Sequence, residues 1–184
     1  MSAETAIPAG PSRQLVVFRM ADTEFGMDIH HVREVIRVPE MTRMPRTPAF
    51  VEGIINLRGR ILPVLDLKKR FALPPVEATL DTRVMIVEWR GQFLGFLVDR
   101  VHEVLRVPAL AVSKPTDMIL AVAGQYLEGI VEVKERLLIL LDLDRILDQE
   151  EIRSLTDLEF EAKAQGEGGS TPPDPPAGET SHAS

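Results

Sequence analysis

The chain has 184 residues, 45% of them apolar, and a formal net charge of −7. That content supports a real core in one domain or two small fused ones. The absence of cysteine excludes a disulfide framework, a zinc–thiolate site and a thiol nucleophile, and fits a reducing compartment. No apolar run reaches ~18 residues, so no membrane helix is expected. The N-terminal MSAETAIPAGPSRQ lacks the basic-then-apolar build of a signal peptide, and a cytoplasmic protein is expected.

The charge is unevenly placed. Residues 148–184 hold 9 acids and 2 bases, a balance of −7, while residues 1–147 hold 19 of each. Within residues 33–70, 9 bases and 4 acids give +5. That modest basic face lacks the density and aromatic interleaving of a nucleic-acid surface, so nucleic acid is not an expected partner.

In chain order, residues 1–12 read as a disordered arm. Gln14–Met20 (QLVVFRM) is a β-branched and aromatic run, followed by a turn at Ala21–Glu24 and a second strand, as in a hairpin. Asp28 suits an N-cap, and Ile29, Val32 and Ile36 have partial helical spacing, so a short helical turn is expected there. Pro39, Pro45 and Pro48 exclude a long helix. Gly53–Leu67 (GIINLRGRILPVLDL) sets two apolar runs around a charged tip. Arg58-Gly59 suits the centre of a tight hairpin turn, because glycine accepts positive φ. Arg83–Trp89 (RVMIVEW) and its Arg90-Gly91 turn repeat the opening hairpin. Late in the chain, Asp148 and Glu151 make a capping box, and Ile152, Leu155 and Leu158 continue an apolar stripe to about Phe160. Residues 162–184 contain no large apolar side chain but four Pro and four Gly, and read as a disordered acidic, proline-rich tail.

The design is printed twice. Val32–Pro39 (VREVIRVP) matches Val101–Pro108 (VHEVLRVP), and GIINLRGRILPVLDL returns as GIVEVKERLLILLDL at Gly129–Leu143. The first match has an offset of 69 and the second 76, so seven extra residues fall within Ala109–Tyr126. Two copies are too few for a solenoid and fit a pseudo-symmetric pair. The first repeat spans about residues 13–71, the second about 80–147, and the helix about 149–161. Short strands with polar turns indicate small barrels. Strands apolar on both faces, such as Ile61–Leu65, can fill a barrel on one side and pack on a twin or a partner on the other.

The chemical constellations are weak. Asp66 and Asp142, each in a Leu-Asp-Leu, allow a duplicated-aspartate hydrolase, but no loop aims the carboxylates, and capping of a short turn is the simpler role. His30, His31 and His102 lack metal-ligand spacing, so no metal or cofactor is expected. The seven serines lie in no nucleophile elbow, and no glycine-rich phosphate loop precedes a helix. Arg58 reads either as a solvated turn residue or as an interface anchor rimmed by aliphatic surface.

Gly53–Phe71 (GIINLRGRILPVLDLKKRF) resembles the signature of CheW-type chemotaxis coupling proteins. Phe25–Ile29 with Val32–Val35, Thr47–Phe50, Tyr126–Gly129 and Leu137–Asp142 are similar to further motifs of that family, in the same order. The likeness covers about residues 13–158. It implies a mainly β protein of two packed five-stranded SH3-like barrels, with short helical turns and one C-terminal helix. It also implies a non-enzymatic adaptor between chemoreceptor cytoplasmic tips and the regulatory domain of a CheA-type histidine kinase, in membrane-associated arrays. An alternative is the coupling protein of a non-flagellar system, twitching or developmental. By motif, Val32, Glu34, Gly53, Arg58 and Gly59 are the implied receptor-facing residues, and the kinase contact falls on the second barrel without named residues.

Overall fold

The computed structural model describes residues 10–117, 124, 126–147, 150, 151, 153–155 and 157. Most of the N-terminal arm and the whole tail at 162–184 lie outside the described residues. The first repeat supplies β1 (Ser12–Met20), β2 (Thr23–Asp28), β3 (Val32–Arg37), β4 (Val51–Leu57) and β5 (Arg60–Asp66), then helix α1 (Leu67–Arg70). The second supplies β6 (Arg83–Trp89), β7 (Gln92–Val98), β8 (Arg100–Pro108), β9 (Leu127–Val133) and β10 (Arg136–Leu141), then α2 (Leu143–Ile146). The Arg58-Gly59 and Arg90-Gly91 turns fall where the sequence placed them, and the first turn is confined to Ala21-Asp22, with Thr23 and Glu24 already in β2. Between β2 and β3 the helical spacing yields only a 3₁₀ turn, Ile29–His31, capped by the Asp28 carboxylate, and Val32–Arg37 is a strand.

The strands form two five-stranded sheets, sheet I in the order β8-β1-β2-β10-β9 and sheet II in the order β3-β6-β7-β5-β4. Position by position the two orders are related by the repeat. The hairpins are exchanged: β1–β2 of the first repeat sits with β8, β9 and β10, while β6–β7 of the second sits with β3, β4 and β5. Each repeat therefore contributes to both sheets. Each sheet is mixed, because β2 runs parallel to β10 and β5 parallel to β7.

Neither sheet closes into a barrel, which corrects the expectation of two SH3-like barrels. No ladder joins β3 to β4 or β8 to β9. On each free edge the backbone of one residue is already taken. Thr42 exchanges hydrogen bonds of 3.0 and 2.8 Å with Ile54 on the free edge of β4, and Ser113 does the same at 2.8 and 2.9 Å with Ile130 on β9. Satisfied edges resist further pairing. Closure is left to side chains: Arg58 bonds across to Glu34 in sheet II, and Arg136 to Glu103 in sheet I.

Both faces of β1 and β6 are buried, and period-two alternation assigns their apolar residues to different cores. In β1, Leu15 and Val17 face the interior of sheet I, while Val16, Phe18 and Met20 face a central core. In β6, Val84 and Ile86 fill sheet II, and Met85, Val87 and Trp89 join the central core. The central core therefore welds the two curled sheets together. Full burial of each such side chain stabilises by roughly 1.5–3 kcal/mol.

The C-terminal helix is present at residues 150, 151, 153–155 and 157. Its expected cap, Asp148, and the stripe residues Ile152, Leu158 and Phe160 lie outside the described residues. Leu155 is buried in the central core. Arg70 ties the segment to α1 by donating to both Glu151 oxygens at 2.7 Å and to the Ile146 carbonyl at 3.0 Å.

Candidate functional site

The β4–β5 turn is a two-residue hairpin with Arg58 at φ 52° and Gly59 at φ 82°. Both central residues are left-handed, as a type I′ turn requires. The Asn56 Oδ1 accepts the Gly59 N–H at 2.8 Å and locks the turn. From this apex Arg58 reaches the opposite edge strand, donating to Glu34 Oε1 at 2.9 Å and Oε2 at 3.0 Å. Bidentate geometry of this kind fixes orientation as well as energy. Next to it, the Arg33 Nε donates to Glu88 Oε2 of β6 at 2.7 Å.

Behind the Arg58–Glu34 bridge lies an open groove of about 270 Å³. Leu57, Leu62, Ile86 and Phe93 form its apolar walls, and Arg58 and Arg60 stand on its rim. The Arg60 guanidinium lies 4.2 Å above the centre of the Phe93 ring. Sheet II thus offers an aliphatic and aromatic slot edged by guanidinium groups, the composition of an interface anchor site.

The sequence-derived candidates divide. Glu34, Arg58 and Gly59 belong to this groove or its turn. Val32 is half-buried and packs on the central core. Gly53 is buried under the Thr42 backbone, where an added Cβ would stand 2.5 Å from the Thr42 carbonyl oxygen. Its role is close approach of two chain segments. Sequence reasoning missed Arg60 and Phe93. The signal was present in the repeat, because Phe93 occupies the position held by Glu24 in the other copy, opposite Glu88 as Glu24 is opposite Arg19.

The duplicated aspartates are caps. Asp66 accepts the Lys68 N–H at 2.8 Å and Asp142 the Asp144 N–H at 2.9 Å, each at the start of its own helix. His30 Nδ1 lies 2.7 Å from Asp28. Among the described residues, no group of three or more His, Asp and Glu could hold a metal ion.

Two exchanged, curled sheets with satisfied aspartates and an apolar, guanidinium-rimmed slot define a protein-binding scaffold. Comparison with known proteins narrows the class. Residues 14–151 match the CheW-like domain family. The chain is 34% identical over 151 residues to the chemotaxis protein CheW of Treponema pallidum, covering 79% of this chain and 88% of that one. It is 33% identical over 140 residues to the CheW of Klebsiella aerogenes, covering 76% and 84%. The crystal structure of the scaffolding protein TtCheW from Thermoanaerobacter tengcongensis superposes with a TM-score of 0.71 at 35% identity, over 82% of this chain and 96% of that one. The chain belongs to the CheW family and is a non-catalytic adaptor of chemotaxis signalling.

Proposed function

We propose that the protein couples chemoreceptor cytoplasmic tips to the regulatory domain of a CheA-type histidine kinase, on the cytoplasmic side of membrane-associated arrays. Among the described residues, no helix is long and apolar enough to cross a membrane. The observation that carries the reading is the slot of sheet II: an Arg58–Glu34 bridge over apolar walls, on a hairpin fixed by its own turn. Arg58, Glu34 and Gly59 meet the receptor there, while Val32 and Gly53 hold the backbone that presents them. The kinase contact falls on sheet I, where Val104 and Leu137 are exposed. The adaptor acts by geometry, holding the kinase where a change of receptor state shifts its activity.

The test is Arg58→Ala. The side chain is largely exposed, so melting should change by within about ±0.5 kcal/mol. Loss of an anchoring guanidinium should cost roughly 1–3 kcal/mol of receptor affinity, with kinase affinity unchanged. Wild-type receptor-dependent stimulation of the kinase at limiting adaptor concentration would refute the assignment.

A further inference from the structure

The two repeats place an arginine at the same point after each hairpin turn, Arg60 in β5 and Arg136 in β10. Their surroundings differ. Arg136 donates to Glu24 at 3.1 Å and to Glu103 at 2.9 Å. Its hydrogen bond to Glu103 and the field of Glu24 raise its proton affinity above the ordinary arginine value. Its charge is consumed within sheet I. Arg60 has Phe93 where Arg136 has Glu24. It rests on the ring face, and no carboxylate among the described residues pairs with it. Glu34, the counterpart of Glu103, is already held by both arms of Arg58.

A charge count across the rim supports this contrast. Arg33, Arg58 and Arg60 face two carboxylates, Glu34 and Glu88, each with its own arginine. One positive charge is left over, at Arg60. A ring face orients a guanidinium without using its N–H donors, since the attraction is to the ring quadrupole. The result is a pre-oriented arginine beside an apolar slot, with no carboxylate partner among the described residues.

We propose that Arg60, held on Phe93, receives a carboxylate of the partner that enters the sheet II groove, and so selects for an acidic side chain next to an apolar one. This rests on the receptor-binding reading of the groove. The occupant is a receptor-tip helix that places a branched aliphatic side chain between Leu57, Leu62 and Ile86 and an Asp or Glu one turn away, within reach of Arg60. Residues three or four apart share a helix face, so one helix can supply both. Replacing Phe93 by glutamate would convert this rim to the self-paired state of sheet I.

The experiment uses the full chain and a soluble receptor cytoplasmic fragment as probe, with affinity measured at low and high salt. Arg60→Glu should weaken receptor binding about tenfold or more at low salt, and most of that loss should vanish at high salt, where the Debye length falls to about 3 Å at 1 M. Arg60→Gln should lose less, and Phe93→Glu should match Arg60→Gln. Kinase binding should be unchanged in all three. Reversing the matching receptor carboxylate to lysine should restore binding to Arg60→Glu and not to wild type. Equal receptor affinity for wild type and Arg60→Glu at low salt overturns the proposal, as does a loss that salt does not touch. Arg58→Ala is run in parallel. If it weakens binding while Arg60→Glu does not, only the acid-selecting role fails. If neither matters, the groove itself is not the receptor site.

Discussion

The open seams of sheet I and sheet II are built from the same repeat positions with different side chains. In sheet II, Arg58 at the turn apex holds Glu34, and Arg60 is left on Phe93. In sheet I, the turn residues Lys134 and Glu135 play no such part, and Arg136 holds Glu24 and Glu103 together. One seam keeps an arginine with no carboxylate partner among the described residues, and in the other the arginine after the turn is paired twice. What the halves share is what the backbone needs: the glycines under the bridging strand (Gly53, Gly129), the capping aspartates (Asp66, Asp142) and the alternation that feeds three cores. At the two seams, what they do not share points outward.

The largest expected difference lies where each half fastens its helix. Lys68 of α1 is buried and paired with Asp99, whose other oxygen accepts the Ala21 N–H at 2.7 Å. The corresponding position in α2 is Asp144, exposed, which accepts the Trp89 indole N–H at 2.7 Å. Removing one partner of a buried pair leaves an uncompensated charge. Asp99→Ala should cost about 3 kcal/mol in urea unfolding, and Asp144→Ala about 1 kcal/mol. The double variant Lys68→Met with Asp99→Leu should recover most of the loss, because apolar replacement of a buried pair is often neutral. Equal losses for Asp99→Ala and Asp144→Ala would show that the buried pair does not fasten the first half more firmly.

A smaller effect sharpens the comparison at the two glycines. A Cβ on Gly53 meets the Thr42 carbonyl oxygen at 2.5 Å, which is backbone and pinned by its own bridge to Ile54. On Gly129 the nearest atom, at 2.6 Å, is a Val112 methyl that can rotate away, with the Ser113 oxygen at 2.9 Å behind it. Gly53→Ala should therefore destabilise by about 2–3 kcal/mol and Gly129→Ala by about 1–2 kcal/mol. Thermal melts of the two variants test the order, and a larger loss at Gly129 reverses the argument.

Strand positions, turns, caps and the duplication were legible because they are local. β-branched runs, Arg-Gly and Asp-x-x patterns report on residues within a few positions of each other. Hairpin exchange was not legible. It depends on where the chain goes after Asp28 and after Val98, and the same strands satisfy either arrangement. Barrel closure was misjudged for a related reason. Nothing in the runs around Thr42 or Ser113 marks them as short bridges that occupy the free edges of β4 and β9. At the site, Arg58 was found by its turn and Glu34 by its motif. Arg60 and Phe93 were missed because a lone Arg and a lone Phe are ordinary strand residues until the fold sets one over the other.

The smallest expected effect concerns the crossovers themselves. Between β7 and β8 the chain passes through Asp99 alone, and the repeat position of Asp28 is taken by Leu97. Between β2 and β3 it makes a 3₁₀ turn held by the Asp28 carboxylate. Burial pushes that carboxyl up, but the His30 N–H and ring and the Arg13 guanidinium more than offset it, so the carboxyl sits below its ordinary value of 3.8. Arg13, raised chiefly by its bond to Glu128, joins this turn to β9. A carboxyl whose proton affinity is lower in the folded than in the unfolded chain adds stability above its ordinary value. That stability is lost as pH falls through the lowered one. Asp28→Asn should therefore be modestly less stable than wild type at pH 7, with the gap closing as pH falls below about 3.8. The corresponding change at the β7–β8 crossover has no carboxyl at the Asp28 position to titrate. Urea unfolding of wild type and Asp28→Asn at neutral and acid pH measures the gap. A gap that stays constant, or widens in acid, would mean that the Asp28 side chain holds the turn by shape and hydrogen bonding without its charge.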